Sequence, residues 1–212
     1  MKKSIVFLFL FPLSVLAQFN SGTITFNDGK VISGLIKTPA YEEAKIKYKS
    51  SIDSKIEVFK VEDVKGFQIV NNKNITENYI TLKVGNNKIL SPKKFNIDKH
   101  KSFVKVVKQG KISVYSIHFG GNSVGGGNGR VSSTSYEADA YYLQRENEDF
   151  AFAIGIHRYD LNFMTGINLY AVAEINFEEI CPEFATKLKE ADLKATEFSK
   201  IVDIYEENCG KK

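Results

Sequence analysis

The chain has 212 residues, of which 43% are hydrophobic and 25% charged, and its formal net charge is +4. These values are ordinary for a globular chain long enough to bury its own core. A net charge this small gives no argument for nucleic acid or an anionic membrane surface as a partner.

Lys2 and Lys3 form a positive start, Ile5 to Leu16 an apolar run broken by Pro12, and Val15-Leu16-Ala17 places small residues before Gln18. This pattern predicts a signal peptide over residues 1–17 and an exported chain. The apolar run is shorter than the roughly 20 residues of a spanning helix. No Cys follows Ala17, which argues against a lipoprotein anchor, and no later stretch approaches spanning length. Loss of Lys2 and Lys3 takes the 29 basic residues to 27 against 25 acidic ones, a net +2.

Alternation then begins. Gly22 to Phe26 and Val31 to Lys37 read as strands joined through Asp28-Gly29, a strong hairpin signal. Ala44 to Lys49 puts Ile46 and Tyr48 inward and the lysines outward. Ile56 to Val61 and Val64 to Val70 follow, then a turn at Asn71 to Asn74. Tyr79 to Val84 aligns Ile80, Leu82 and Val84, Gly85-Asn86-Asn87 reads as a turn, and Pro92 as the end of a short strand over Lys88 to Leu90. Phe103 to Ile117 reads as a central hairpin. Gly110 supplies its positive φ, and Val104, Val106, Ile112 and Val114 share one face. The glycine-rich run Gly120 to Arg130 reads as a flexible hairpin loop. Tyr136 to Leu143 and Phe150 to Ile156 resume the strands, with Phe150, Phe152, Ile154 and Ile156 on one face.

Past Tyr159 the period changes. Asp160 to Ala173 fits a helix only in part. Pro182 suits the start of a helix carrying Phe184, Leu188 and Ala191. Phe198, Ile201, Val202 and Tyr205 mark another helix at i, i+3, i+4, i+7, which Gly210 can end. Its apolar stripe predicts packing against the β body, since isolated short helices are marginal in water. The chain has two cysteines, Cys181 and Cys209. An even pair in an exported chain predicts a disulfide, and the facing ends of a helical hairpin would bring the two together.

Three stretches together resemble a group of secreted proteins of unknown function common in Bacteroidetes. They are Gly22 to Lys37; Phe103 to Ser116 with Tyr141-Tyr142-Leu143-Gln144-Arg145; and Cys181-Pro182-Glu183-Phe184 with Ile201 to Tyr205 and Cys209. The resemblance implies an exported β-rich domain with a disulfide-bearing helical tail and carries over no catalytic residues.

Catalytic and metal signatures are weak. The glycine-rich run does not lead through Lys-Ser/Thr into a helix, as a phosphate loop requires. His100, His118 and His157 stand apart, without zinc spacing. Glu146, Glu148 and Asp149 read as a solvated turn rather than the carboxylate pair of a glycosidase. The sequence therefore assigns no catalytic, cofactor-binding or metal residue. It predicts a mainly β fold, an antiparallel sandwich or partly open barrel over residues 18–158, with a helical hairpin over 159–212. The function expected is a non-enzymatic envelope or extracellular module, secreted or periplasmic, that contacts a protein or polymer. The alternative is a hydrolase of such polymers, with His118, His157, Asp160 and Arg145 as first candidates. Alternation also suits a small outer-membrane barrel, but the lysine-rich faces and helical tail argue against one.

Overall fold

In a computed structural model, which describes residues 19–40, 43–88, 91–127, 130–160, 163–165 and 169–210, Asp28-Gly29 turns the chain as expected. Gly29 takes φ +88°, and Asp28 Oδ1 accepts the Lys30 N–H at 2.9 Å. This joins β1 (Asn20–Phe26) to β2 (Val31–Lys37). β3 (Lys45–Lys49), β4 (Glu57–Lys60) and β5 (Val64–Val70) complete an antiparallel curl in the order β5-β1-β2-β3-β4. Its concave face buries Ile24, Ile36, Ile46, Val64, Phe67 and Ile69 in one core. The curl is tight enough for Phe26 of β1 to meet Phe59 of β4 edge-on at 5.0 Å. The expected signal peptide lies outside the described residues.

β6 (Thr76–Lys88) links this curl to the rest of the sheet. Ile80, Leu82 and Val84 share a face as predicted. The strand, however, continues through Gly85-Asn86-Asn87, which the sequence reading made a turn. Pro92 does not stop the pairing either, because β7 (Ser91–Ile97) begins beside it and pairs with β6. Proline is tolerated at the start of an edge strand, where its missing N–H is not needed. Ile89 and Leu90 lie outside the described residues.

β8 (Ser102–Lys108), β9 (Ser113–Gly127), β10 (Arg130–Gln144) and β11 (Phe150–Arg158) form an antiparallel run beside β6. Phe150–Phe152 of β11 then pairs in parallel with Lys83–Gly85 of β6. The ring β6-β8-β9-β10-β11 is thereby closed. Leu82, Val84, Val104, Tyr115, Ile117, Ala140, Tyr142, Ala151 and Ala153 fill its interior. β12 (Phe163–Thr165) continues the sheet from β11.

Two of the predicted faces break at register shifts. Val104 and Val106 belong with the ring interior, whereas Ile112 and Val114 belong with the helical core. The β8–β9 pairing shifts between Val106 and Lys108, so the four valines and isoleucines do not share a face. Gly110 is not at positive φ. It leaves room instead, since a Cβ there would lie 2.7 Å from Val202 Cγ1. In β11, the pairing with β10 shifts between Tyr141 and Tyr142. Phe150, Phe152 and Ile154 join the helical core, and Ile156 packs against the ring interior. The described part of the glycine-rich run is strand and not loop: β9 and β10 remain paired out to Gly127 and Arg130, and 128–129 lie outside the described residues. Backbone hydrogen bonds carry that ladder without needing side chains.

The chain is mainly β with helices at its C-terminal end, as predicted: α1 (Leu169–Phe177) precedes α2 (Glu183–Ala191) and α3 (Lys200–Asn208), which stand where the helical hairpin was expected. The Asp160–Ala173 segment is helical only in part, as its pattern suggests: Phe163 to Thr165 are strand, Leu169 to Ala173 lie in α1, and 161–162 and 166–168 lie outside the described residues. Phe177, Phe184 and Tyr205, one from each helix, meet edge-on at 4.8–5.5 Å. Phe198 reaches Tyr141 of β10 at 4.7 Å. Lys108 pairs with Asp203 at 2.5 Å, and the Arg145 guanidinium donates to the Asn176 carbonyl at 2.9 Å. The tail is therefore packed against the β body. Cys181, before α2, is bonded to Cys209, after α3, with the Cα atoms 5.8 Å apart.

That bond closes a loop with a sequence separation of 28. Chain entropy makes it worth about 3–4 kcal/mol. The Cys181→Ser/Cys209→Ser double variant is expected to lose about that much in denaturant titration. Hydrogen exchange is expected to accelerate first in α2 and α3.

Candidate functional site

A groove of about 840 Å³ opens where the concave side of the curl continues onto the outer face of the ring. Strand alternation sets its floor. Glu77, Tyr79 and Thr81 alternate with the inward Ile80 and Leu82 on β6. Lys105 lies beside Tyr79 on β8, and Ser116 lies beside Lys105 on β9. His118 follows on the same face of β9, directly across from Asp139 on β10, which in turn faces His157 on β11. The β7–β8 connection, including Asp98 and Lys99, forms one wall, and Thr38 to Ala40 with Glu43 forms another.

Two carboxylates organise this floor. Asp139 Oδ1 is 3.0 Å from His118 Nδ1, and its Oδ2 accepts the Tyr159 hydroxyl at 2.6 Å. Glu77 accepts from Lys105 Nζ at 2.7 Å, from the Tyr79 hydroxyl at 2.9 Å and from Asn71 Nδ2 at 3.0 Å. Burial works against the ionised form of each carboxylate. For Asp139 the bonds from His118 and Tyr159 outweigh it, and for Glu77 those from Lys105, Tyr79 and Asn71 do. Both acids are held below the usual carboxylate range. The bond to Asp139 raises the His118 pKa, against the opposing effect of burial. Burial first, and then their carboxylate partners, push the Tyr79 and Tyr159 hydroxyls well above the usual phenol range.

Of the residues named from sequence, His118 and His157 do come together, on either side of Asp139. The His157 ring meets Tyr159 edge-on at 5.2 Å, and His118 lies 6.1 Å from the same ring. Asp160 is not with them: it binds the Arg158 guanidinium at 2.6 Å. Arg145 is elsewhere, pairing with Glu148 and lying 5.7 Å over the Phe152 ring beneath the tail. His100 is exposed, 3.7 Å from Glu62. Among the described residues, no three His, Cys, Asp or Glu side chains are grouped to hold a metal ion.

Asp139, Tyr159, Glu77 and Lys105 were not singled out in the sequence. Asp139 did leave a signal, since it shares its strand face with Tyr141 and Leu143, which are buried. A carboxylate in line with buried apolar positions requires partners. Naming His118 as the partner requires the β9–β10 register, which one sequence does not display.

The His118–Asp139 pair stabilises the fold over a defined pH window. The raised His118 contributes fully below its ordinary 6.5, and this is lost as pH rises through its folded pKa. The lowered Asp139 contributes above its ordinary 3.8, and this is lost as pH falls through its folded pKa. In an NMR titration His118 is expected to titrate above 6.5, and Asp139→Asn is expected to bring it back down. An unchanged His118 midpoint in that variant would show that the pair does not form in solution.

Comparison of the chain with protein-family models, with curated proteins and with solved structures finds no match, so the chemistry of this site is read from its own geometry.

Proposed function

We propose that the chain is an exported contact module that binds a protein or polymer in the envelope or outside the cell, without catalysing its conversion. The observation that carries this reading is a groove whose ionisable floor is already paired. Acid–base catalysis calls for a group poised near the working pH and free to exchange a proton. Glu77 and Asp139 are instead held ionised by several donors each. Such fixed groups orient a bound molecule at little entropic cost. The Cys181–Cys209 bond suits an oxidising compartment, and no helix among the described residues is long and apolar enough to cross a membrane. The resemblance to secreted Bacteroidetes proteins points to the same setting.

One observation favours a second reading, as a hydrolase of extracellular or envelope polymers. His118 is backed by Asp139 at 3.0 Å, and its side chain is 57% exposed toward the groove. An imidazole oriented by a carboxylate is the usual form of a general base.

A photo-reactive residue in place of Lys99, in cells that produce the protein, separates the two readings. The contact reading expects one dominant cross-linked species in mass spectrometry, lost when the groove is altered. Absence of any partner, together with polymer hydrolysis abolished by His118→Ala, would replace it with the second reading.

A further inference from the structure

The groove contains one aromatic ring fixed in an unusual way. Tyr159 is 49% exposed, yet its hydroxyl is tied to Asp139 and its ring is met edge-on by His157. An exposed tyrosine ordinarily samples several rotamers, and here both ends of the ring are constrained. The result is a flat apolar plate rising from a floor of hydrogen-bonding groups. Tyr79 cannot serve in this way, because its ring is stacked on Phe67 at 4.4 Å.

The charges around the plate nearly cancel. Glu43, Glu77, Asp98 and Asp139 face Lys99, Lys101 and Lys105, to which His118 adds a pH-dependent share. A polyanion or a polycation would therefore find no matching field here. Nor is the floor open to an extended peptide adding itself as a strand. Lys105 pairs with both Tyr79 and Ser116, and Ser116 with both Lys105 and Tyr141, so both edges are taken at these positions.

We infer that the groove binds an uncharged saccharide, with one sugar face on Tyr159 and the hydroxyl groups on the floor formed by Asp139, His118, Lys105 and Glu77. A sugar ring has an apolar C–H face and a rim of groups that both donate and accept. The plate and floor match those two surfaces. Carboxylates accept from sugar hydroxyls, and the Lys105 ammonium and the imidazole donate to them. Charge-assisted bonds of this kind are the stronger ones. The inference rests on the contact-module reading and specifies its polymer.

The test uses the purified chain with its disulfide intact. Calorimetry and ligand-observed NMR are run with neutral hexasaccharides of glucose, mannose, xylose and N-acetylglucosamine, and with polygalacturonate, heparin and polylysine. At least one neutral hexasaccharide is expected to bind, with an affinity that changes little between low and high salt. Tyr159→Ala is expected to weaken it roughly tenfold or more. Tyr159→Phe, which keeps the ring but releases it from Asp139, is expected to weaken binding less than Tyr159→Ala does, and guards against a variant that merely misfolds. Binding confined to a charged polymer and weakened by salt would overturn the inference, as would no saccharide binding at all. If no saccharide binds while the photo-reactive groove captures a protein, the saccharide is wrong and the contact reading stands. If the groove captures nothing and His118→Ala abolishes hydrolysis, the contact reading itself has failed.

Discussion

The pairing of Phe150–Phe152 with Lys83–Gly85 is the constraint on which the rest of this structure depends. β5 and β8 both pair with Tyr79 and Ile80, so they occupy opposite edges of β6. Further along, β7 and β11 share Gly85 in the same way. β6 therefore exchanges its neighbours midway along its length. Its first half carries the N-terminal curl on one edge and β8 of the ring on the other, and its second half carries β11 and β7. A strand with four partners fixes the relative placement of both parts, and the groove lies where they diverge. The side chains lining the floor are set by the same backbone ladders, so their geometry costs little to maintain on binding.

Closing the ring creates a second requirement. The ring interior is narrow and takes alanines at 138, 140, 151 and 153. The bulky residues of β11 consequently face outward, where the shift against β10 leaves Phe150, Phe152 and Ile154 together. Helices α1, α2 and α3 cover that wall with Phe177, Phe184 and Val202, joined by Phe198 just before α3. Arg145 spans the seam, with its guanidinium over Phe152 and a bond to the Asn176 carbonyl. The polar floor and the apolar wall are thus two ends of one sheet face. Along β9 it passes from Val114, with Ile112 just before the strand, through Ser116 to His118, and on β10 from Leu143 and Tyr141 to Asp139.

Local features were legible in the sequence and non-local ones were not. The Asp28-Gly29 turn, the inward Ile46 and Tyr48, and the stripe from Phe198 to Tyr205 each depend on residues a few positions apart, and each appears as read. The errors fall where two strands meet out of step. The displacement near Val106 and the extra residue near Ile154 depend on the partner strand, so alternation along one strand misassigns the faces beyond them. Asn86-Asn87 favours turns locally, but β7 pairs with both residues, and β8 and β11 hold β6 extended up to Gly85 just before them. The site follows the same rule. His118 and His157 could be suspected of meeting, yet Asp139 between them becomes visible only once the register is known. Asp160, the acid nearest in sequence, is engaged by Arg158.

The covering of the apolar wall has a consequence for biosynthesis. Ile112 and Val114 are formed early in the chain, but the groups that shield them come from α3, at the far end. The separation is 95 residues for the Lys108–Asp203 pair. Contacts this distant form late, after the entropy of a long closure has been met. Without α3 the wall would keep the cover of α1 and α2 but lose Ile201, Val202 and Tyr205, leaving apolar surface of the kind that draws chaperones or self-associates. The formation of α3 is therefore the step at which Ile112 and Val114 lose their contact with water.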